Sequence, residues 1–298
     1  MSKMNEFNSF SHSSNKSGFG AINNVLVFDI ETIPDVPLLR KLYGFGVRST
    51  QNLKPDLNSD LNSDLKPELT DAEVVALVSE KLKAEKGSDF LPLHFHKVAC
   101  ISAVMKRGGD IRVWSLGELN SSESDLIQRF FSGIEKYSPT LVSWNGSGFD
   151  LPVLHYRAMH HKISASRYWE LGEQDQGFKW NNYISRYHLR HTDLMDLLAL
   201  YNSRAYVKLD DLSVLMGFPG KMGKGGASVW EEYSAGRLKG IRDYCETDVL
   251  NTYLLYLRFE LMRGHLNLES YEQLTQELRE YLSKEGHAHF QEFLTAWS

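Results

Sequence analysis

The stretch NNVLVFDIETIPD, residues 23 to 35, constrains the fold more than any other part of the chain. Val25, Leu26, Val27, Phe28 and Ile30 form one apolar run, which reads as a core strand. Asp29 interrupts that run and Glu31 follows two residues later. Side chains at i and i+2 of a strand share a face, so the two carboxylates leave it side by side, roughly 6–7 Å apart at about 3.3 Å per residue. A buried carboxylate without a partner is costly. No Lys or Arg stands near this pair in sequence, so something positive has to answer them from outside the segment.

Composition narrows the class without naming it. The chain has 298 residues, 42% hydrophobic and 24% charged, enough apolar content for a sizeable core. Its net charge of −5 excludes a global basic field that would coat nucleic acid, but not an enzyme whose acids gather at a metal site. Two cysteines, Cys100 and Cys245, are too few for a disulfide framework. No apolar run is long enough to span a membrane, and the N-terminus has no compact signal-type stretch, so a cytoplasmic location is expected.

Along the chain, residues 1–20 are rich in Ser, Asn and Gly and read as a disordered tail. Residues 21–298 read as a single domain with a surface insertion at about 48–90, which includes a DLNS repeat and two prolines within 53–69. Thr70-Asp71-Ala72-Glu73 fits a capping box opening a helix toward Lys83. Strands are expected at His96–Met105, Asp110–Ser115 and Thr140–Trp144, and helices at Ser122–Tyr137 and Asp150–His161. After His191 the chain reads as almost wholly helical: Leu194–Tyr201, Asp211–Met216, Ser228–Ser234, Leu238–Met262, Leu268–Ser283 and a last turn to Trp297. The order is that of an α/β fold with extra C-terminal helices.

Two more acids stand out. Asp150 follows the turn Asn145-Gly-Ser-Gly and opens a helix, where an Asp ordinarily caps backbone N–H groups. Asp248 lies four residues after Tyr244 on a helix, so both occupy one face about 6 Å apart. Alone, that pair reads as a core aromatic beside a solvated acid. Each short motif recurs elsewhere in this chain. Asp71-x-Glu73 lies in a polar first turn, and Tyr206-x3-Asp210 precedes a helix. The specific signal is the ordered set: Asp-x-Glu in an apolar strand, Asn-x3-Phe-Asp after a strand, and Tyr-x3-Asp on a long late helix.

That set, Asp29-Ile-Glu31, Asn145-Gly-Ser-Gly-Phe149-Asp150 and Tyr244-Cys-Glu-Thr-Asp248, resembles the three exonuclease motifs of the DEDD superfamily, tyrosine subtype. More closely, the chain is similar to the stand-alone predicted exonucleases related to the proofreading domain of family-B DNA polymerases. FHKVACISAV, FDLPVLHYRA, HTDLMDLL, GFPGKMGKGG and YCETDVLNTYLLYLR fit that pattern, and the resemblance covers about residues 23–265. It implies a ribonuclease H-like fold, a five-stranded mixed sheet flanked by helices.

It also implies an activity: metal-dependent 3′–5′ exonuclease hydrolysis at single-stranded DNA or RNA 3′ ends, releasing 5′-mononucleotides, in work of the DNA-repair kind. Two divalent cations, Mg²⁺ or Mn²⁺, would be the cofactors, held by Asp29, Glu31, Asp150 and Asp248. Such ions place a water in line and stabilise charge on the leaving oxygen, and hard cations take oxygen ligands. Asp29 would bridge both ions, Glu31 and Asp248 would complete one site, and Asp150 would support the other. Tyr244 would orient the attacking water, since a phenol near pKa 10 is a poor base at neutral pH. Asn145 and Phe149 would shape the groove for the terminal nucleotide.

Weaker signals remain two-sided. Lys221 and Lys224, with Arg237 and Lys239 nearby, either track phosphates from a flexible loop or are merely solvated. Trp144 is a groove candidate that fits a core position better. Asp193 reads as a helix cap, His191 as structural or near the groove, and Cys245 has no local His to make it a nucleophile. Two other functions share the fold: a catalytically silent nucleic-acid-binding or scaffold protein, and a phosphodiesterase of small nucleotides. Four converging acids argue against silence, because a binding module does not need them.

Overall fold

A computed structural model of the chain describes residues 22–45, 69–222 and 228–297. The tail at 1–20, most of the 53–69 stretch and Lys224 lie outside the described residues. Those described fall into two compact units, one of residues 22–32 with 98–297 and the other within 33–97.

The larger unit is built on a five-stranded mixed sheet in the order β3-β2-β1-β4-β5. Its strands are β1 (Val25–Pro34), β2 (His96–Arg107), β3 (Asp110–Ser115), β4 (Thr140–Ser143) and β5 (His191–Asp193). β1 pairs parallel with β4, Val25 to Thr140 through Val27 to Val142, and β4 pairs parallel with β5. β2 and β3 form an antiparallel hairpin. Helices flank the sheet: α3 (Glu123–Tyr137), α4 (Asp150–His161), α5 (Leu194–Leu198), α6 (Leu209–Leu215), α7 (Val229–Ser234), α8 (Leu238–Met262), α9 (Leu268–Glu285) and α10 (Ala288–Ala296). In the smaller unit are α1 (Val36–Tyr43) and α2 (Asp71–Lys86). This is the five-stranded mixed sheet flanked by helices, with added C-terminal helices, that the sequence led us to expect. Among the described residues, no helix is long and apolar enough to cross a membrane.

Strand alternation decides which helix meets which residue of β1. Val25 and Val27 join the core cluster containing Val249, Leu250, Tyr253 and Leu254 of α8. Asp29 and Glu31 continue that same face. The opposite face carries Phe28, whose ring lies 5.0 Å from that of Phe130 on α3. The two acids are therefore aimed at the α8 side of the sheet.

α8 is the central helix, with an unbroken run of buried residues from Tyr244 to Leu257. Such a helix has no solvated face for its polar groups, so they need partners inside. Asn251 exchanges hydrogen bonds with the backbone of Gly220, and Thr247 donates to the Tyr244 carbonyl. α9 is tied to β2 by an ion pair between buried Lys106 and half-buried Glu277 at 2.9 Å.

Most sequence-level boundaries hold within a residue or two, and α4, α8 and β3 coincide with expectation. Thr70 caps α2 through the complete capping box with Glu73. Three readings change. His191–Asp193, to which the sequence assigned no strand, is one, because Leu141 through Ser143 pair with it, and Asp193 caps α5 as expected. The helix expected over Leu194–Tyr201 ends at Leu198, and Leu200 and Tyr201 adopt left-handed φ values of 52° and 58°. Leu200 is 84% exposed, so no burial rewards further helix there. β4 ends at Ser143, and Trp144 packs against the core cluster.

Candidate active site

The acids converge beyond the stretch of β1 that pairs with β4. Asp29, Glu31 and Asp248 each offer a carboxylate oxygen within 4.8 Å of the others. Asp150 joins them from α4: its carboxylate accepts the backbone N–H of Ile30 at 3.1 Å, between the two acids of β1. The capping role that suits an Asp in that position is thus largely redirected. The residue preceding α4, Phe149, makes no side-chain cap, and Asp150 is spent on the neighbouring strand.

Electrostatics record the crowding. Burial, and then the charges of Asp150, Glu31 and Asp248, push the Asp29 carboxyl well above the usual carboxylate range. Burial and the Asp248 charge push Glu31 up to about 8. Asp150 rises to about 7 and Asp248 to about 6, burial being the largest cause for both. Burial, then Asp248 and Glu31, keep the Tyr244 phenol protonated well above its ordinary value. One oxygen of this cluster has no protein partner: Asp248 Oδ1 is buried without a hydrogen bond among the described residues.

That donor set tests well for a hard divalent cation. The ligands are all carboxylate oxygens, they repel one another without a counter-charge, and a buried oxygen lacks a partner. Asp29, Glu31 and Asp248 can hold such an ion directly, with Asp150 adjoining.

Lys221 supplies a positive charge that local sequence concealed. Its Nζ lies 4.0 Å from Asp248 Oδ2 and 5.5 Å from the centre of the Tyr244 ring, and its charge lowers both Glu31 and Asp248. The backbone here is clamped rather than loose. Lys221 N donates to Asp210 at 2.6 Å, and Gly220 is held by Asn251 of α8. Arg237 and Lys239, which the sequence left as either phosphate-tracking or solvated charges, are ion-paired with Glu232 and Asp243.

The Asn145–Phe149 turn is positioned by Asp193. Its Oδ1 accepts Asn145 N at 3.0 Å and its Oδ2 accepts Ser147 N at 2.8 Å, while Oδ1 also caps α5. Asn145 takes a left-handed φ of 64°. Gly146 is required there, since a Cβ would run into the Ser143 side chain. Trp144, Asn145 and Phe149 are all partly buried, Trp144 packing against the core cluster.

Sequence reasoning missed two features. Cys245 turns its thiol toward Asp29, donating to Oδ2 at 3.4 Å. Asp193 does more than cap a helix, because it also anchors the turn before Asp150. Neither contact leaves a local sequence signal. His191 is structural, as its Nε2 meets Ser143 Oγ at 2.8 Å and burial depresses it to about 4.

Comparison with known proteins follows from this geometry. The chain is similar to the family B DNA polymerase from the hyperthermophilic archaeon Pyrobaculum calidifontis, with a TM-score of 0.44 and 18% identity. That match covers 83% of this chain and 25% of the polymerase, so the chain spans about a quarter of its length. No curated protein matches the chain. A family model matches residues 88–297, a stretch that holds Asp150, Tyr244 and Asp248 and begins after Asp29 and Glu31. On that match the chain belongs to the predicted 3′–5′ exonucleases related to the exonuclease domain of PolB.

Proposed function

We propose that this protein is a metal-dependent exonuclease that shortens single-stranded DNA or RNA from the 3′ end, releasing 5′-mononucleotides through two bound divalent cations, Mg²⁺ or Mn²⁺. The observation that carries the reading is the meeting of Asp29, Glu31 and Asp248 within 4.8 Å around an unpartnered Asp248 oxygen. When bound, such cations supply an activated water and neutralise charge on the departing oxygen.

Each of the chain's own groups has a part in this reading. Asp29, Glu31 and Asp248 would hold the cations, with Asp150 supporting them from the start of α4. Tyr244 is held protonated, so it orients water by hydrogen bonding and does not act as a base. Lys221 sets its charge beside Asp248, where a substrate phosphate would be drawn. Asn145 and Phe149 shape the groove for the terminal nucleotide, and Lys224 extends the basic loop. Two free buried thiols accord with a reducing compartment, and we place the enzyme in the cytoplasm.

Incubating a 5′-end-labelled oligonucleotide with Mg²⁺ or Mn²⁺ tests this. The native chain should give a ladder shortening from the 3′ end, abolished by EDTA and by Asp29→Ala. Binding without shortening would indicate a silent nucleic-acid-binding protein. Cleavage of a dinucleotide with the oligonucleotide intact would indicate a small-nucleotide phosphodiesterase.

A further inference from the structure

A second cluster lies at the junction of α8 and α10, apart from the four-acid centre. Glu246, His287 and His289 each bring one ligand atom within 4.8 Å of the others. Asp243 adjoins them, its Oδ1 being 3.5 Å from His289 Nδ1. Glu246 is 8% exposed and rigidly held: Ser115 Oγ donates to its Oε1 at 2.6 Å, and Ser115 is itself bonded to Ser102. His289 Nε2 lies 2.8 Å from Glu246 Oε2.

His289 carries the argument. It is nine-tenths buried, and its Nδ1 has no hydrogen-bond partner among the described residues. A neutral imidazole has one N–H and one lone pair. If Nε2–H donates to Glu246, the bare Nδ1 lone pair faces the Asp243 carboxylate. If the proton is on Nδ1, the Nε2 lone pair faces Glu246 at 2.8 Å. Either neutral form sets two acceptors against each other in a buried place. A cation at Nε2 removes the conflict. Nε2 and Glu246 Oε2 become ligands, and Nδ1–H is left to donate to Asp243, the carboxylate–histidine–metal arrangement that fixes a ligand's tautomer.

His287 is what a simple protonated His289 between two carboxylates would not need. It is the residue preceding α10 and is exposed, its ring stacked 5.0 Å from that of Phe290, and a ligand atom of it already lies within 4.8 Å of the other two. A tetrahedral site with bonds of about 2.0–2.1 Å needs ligand atoms about 3.3 Å apart, a closure within reach of a surface side chain.

We propose that Glu246, His287 and His289 bind one Zn²⁺, with Asp243 orienting His289 and water completing the sphere. Two imidazoles and a carboxylate suit a borderline cation, whereas the all-oxygen centre around Asp29 suits Mg²⁺ or Mn²⁺, so the two sites differ in chemistry. The site pins the start of α10 to the turn of α8 that carries Tyr244 and Asp248, on a different face of that helix.

The test uses the full chain carrying Asp29→Asn and Asp248→Asn, stripped with chelator, and reads Zn²⁺ binding by calorimetry and melting temperature. The same titration on the native chain in saturating Mg²⁺ guards against misfolding of the double variant. One equivalent of Zn²⁺ should bind with micromolar or tighter affinity and raise the melting temperature. Co²⁺ should give the visible absorption of a four-coordinate nitrogen–oxygen site. His287→Ala should weaken binding by at least about tenfold while leaving the Zn²⁺-free melting temperature unchanged, and Asp243→Asn should weaken binding to a similar degree. Absence of Zn²⁺ binding at micromolar concentration, or native affinity in His287→Ala, overturns the proposal. No arm reads nuclease activity, so the outcome is independent of the function proposed above.

Discussion

The Asp150 carboxylate and the Ile30 backbone N–H are joined at 3.1 Å, which ties the first turn of α4 to β1 midway between Asp29 and Glu31. The pairs of β1 with β4 run from Val25 to Val27, and Ile30 lies beyond them. Asp150 answers that N–H and is fixed among the other acids by the same bond. Backbone pairing and site assembly are thus one piece of geometry.

Metal-free protein should lose stability as pH rises from about 4 to about 8. Glu31, Asp150 and Asp248 have folded-state values pushed up to about 8, 7 and 6, from ordinary values of 4.5, 3.8 and 3.8. The native state therefore holds protons that the unfolded chain has released, and the slope of stability with pH is negative across that window. Melting curves in EDTA at pH 5 and pH 8 check this. Asp29→Asn should melt higher than the native chain at pH 8 in EDTA, because one repelling charge is gone. Added Mn²⁺ should raise the native melting temperature more at pH 8 than at pH 5.5, since ligation needs deprotonated carboxylates. A flat profile in EDTA would refute the account.

Lys221→Met should move the acid limb of the pH–rate profile upward. Lys221 lowers both Glu31 and Asp248, so its loss leaves them protonated to higher pH. Activity at pH 6.5 should fall on the order of tenfold relative to the native chain, with a smaller gap above pH 8.5. Lys221→Arg should keep the native limb. An equal loss at every pH would assign Lys221 to substrate contact alone.

Asp193→Asn separates positioning from stability. Oδ1 carries the α5 cap and the Asn145 N–H, whereas Oδ2 alone holds Ser147 N at 2.8 Å. The amide keeps the first set and turns an N–H toward Ser147. Denaturant melts should show a cost of about 1 kcal/mol. Because the displaced turn leads into Asp150, kcat should fall while the Kd for Mn²⁺ changes little.

Glu123 is a structural counterpart to the site acids. It sits buried at the start of α3, accepts Arg157 Nε and Nη2 at 2.8 and 2.6 Å, and takes Val98 N at 2.7 Å. Glu123→Ala strands a buried guanidinium and should cost about 3–5 kcal/mol in urea unfolding. The double variant with Arg157→Met should recover part of that loss.

Several features were readable from the chain itself, because they depend on residues near one another. Alternation along Val25–Glu31 placed both acids on one face, helical spacing placed Tyr244 beside Asp248, and Thr70 with Glu73 announced the start of α2. Periodicity and capping are local physics, so a short window contains them. His191–Asp193 escaped because a three-residue strand has no period, and only pairing with Leu141–Ser143 defines it. Lys221 was a candidate from its basic loop, but its place beside the acids escaped for a different reason. Its charge reaches Asp248 through the clamp of Gly220 on Asn251 and of Lys221 N on Asp210, contacts 31 and 11 residues apart in the chain. The same holds for Cys245 against Asp29 and for the Asp150–Ile30 bond. Sequence alone determined which residues could carry chemistry and which face of its element each would occupy. Tertiary structure decided which of them meet, because long-range packing, not local preference, sets the distances over which charge and hydrogen bonding act.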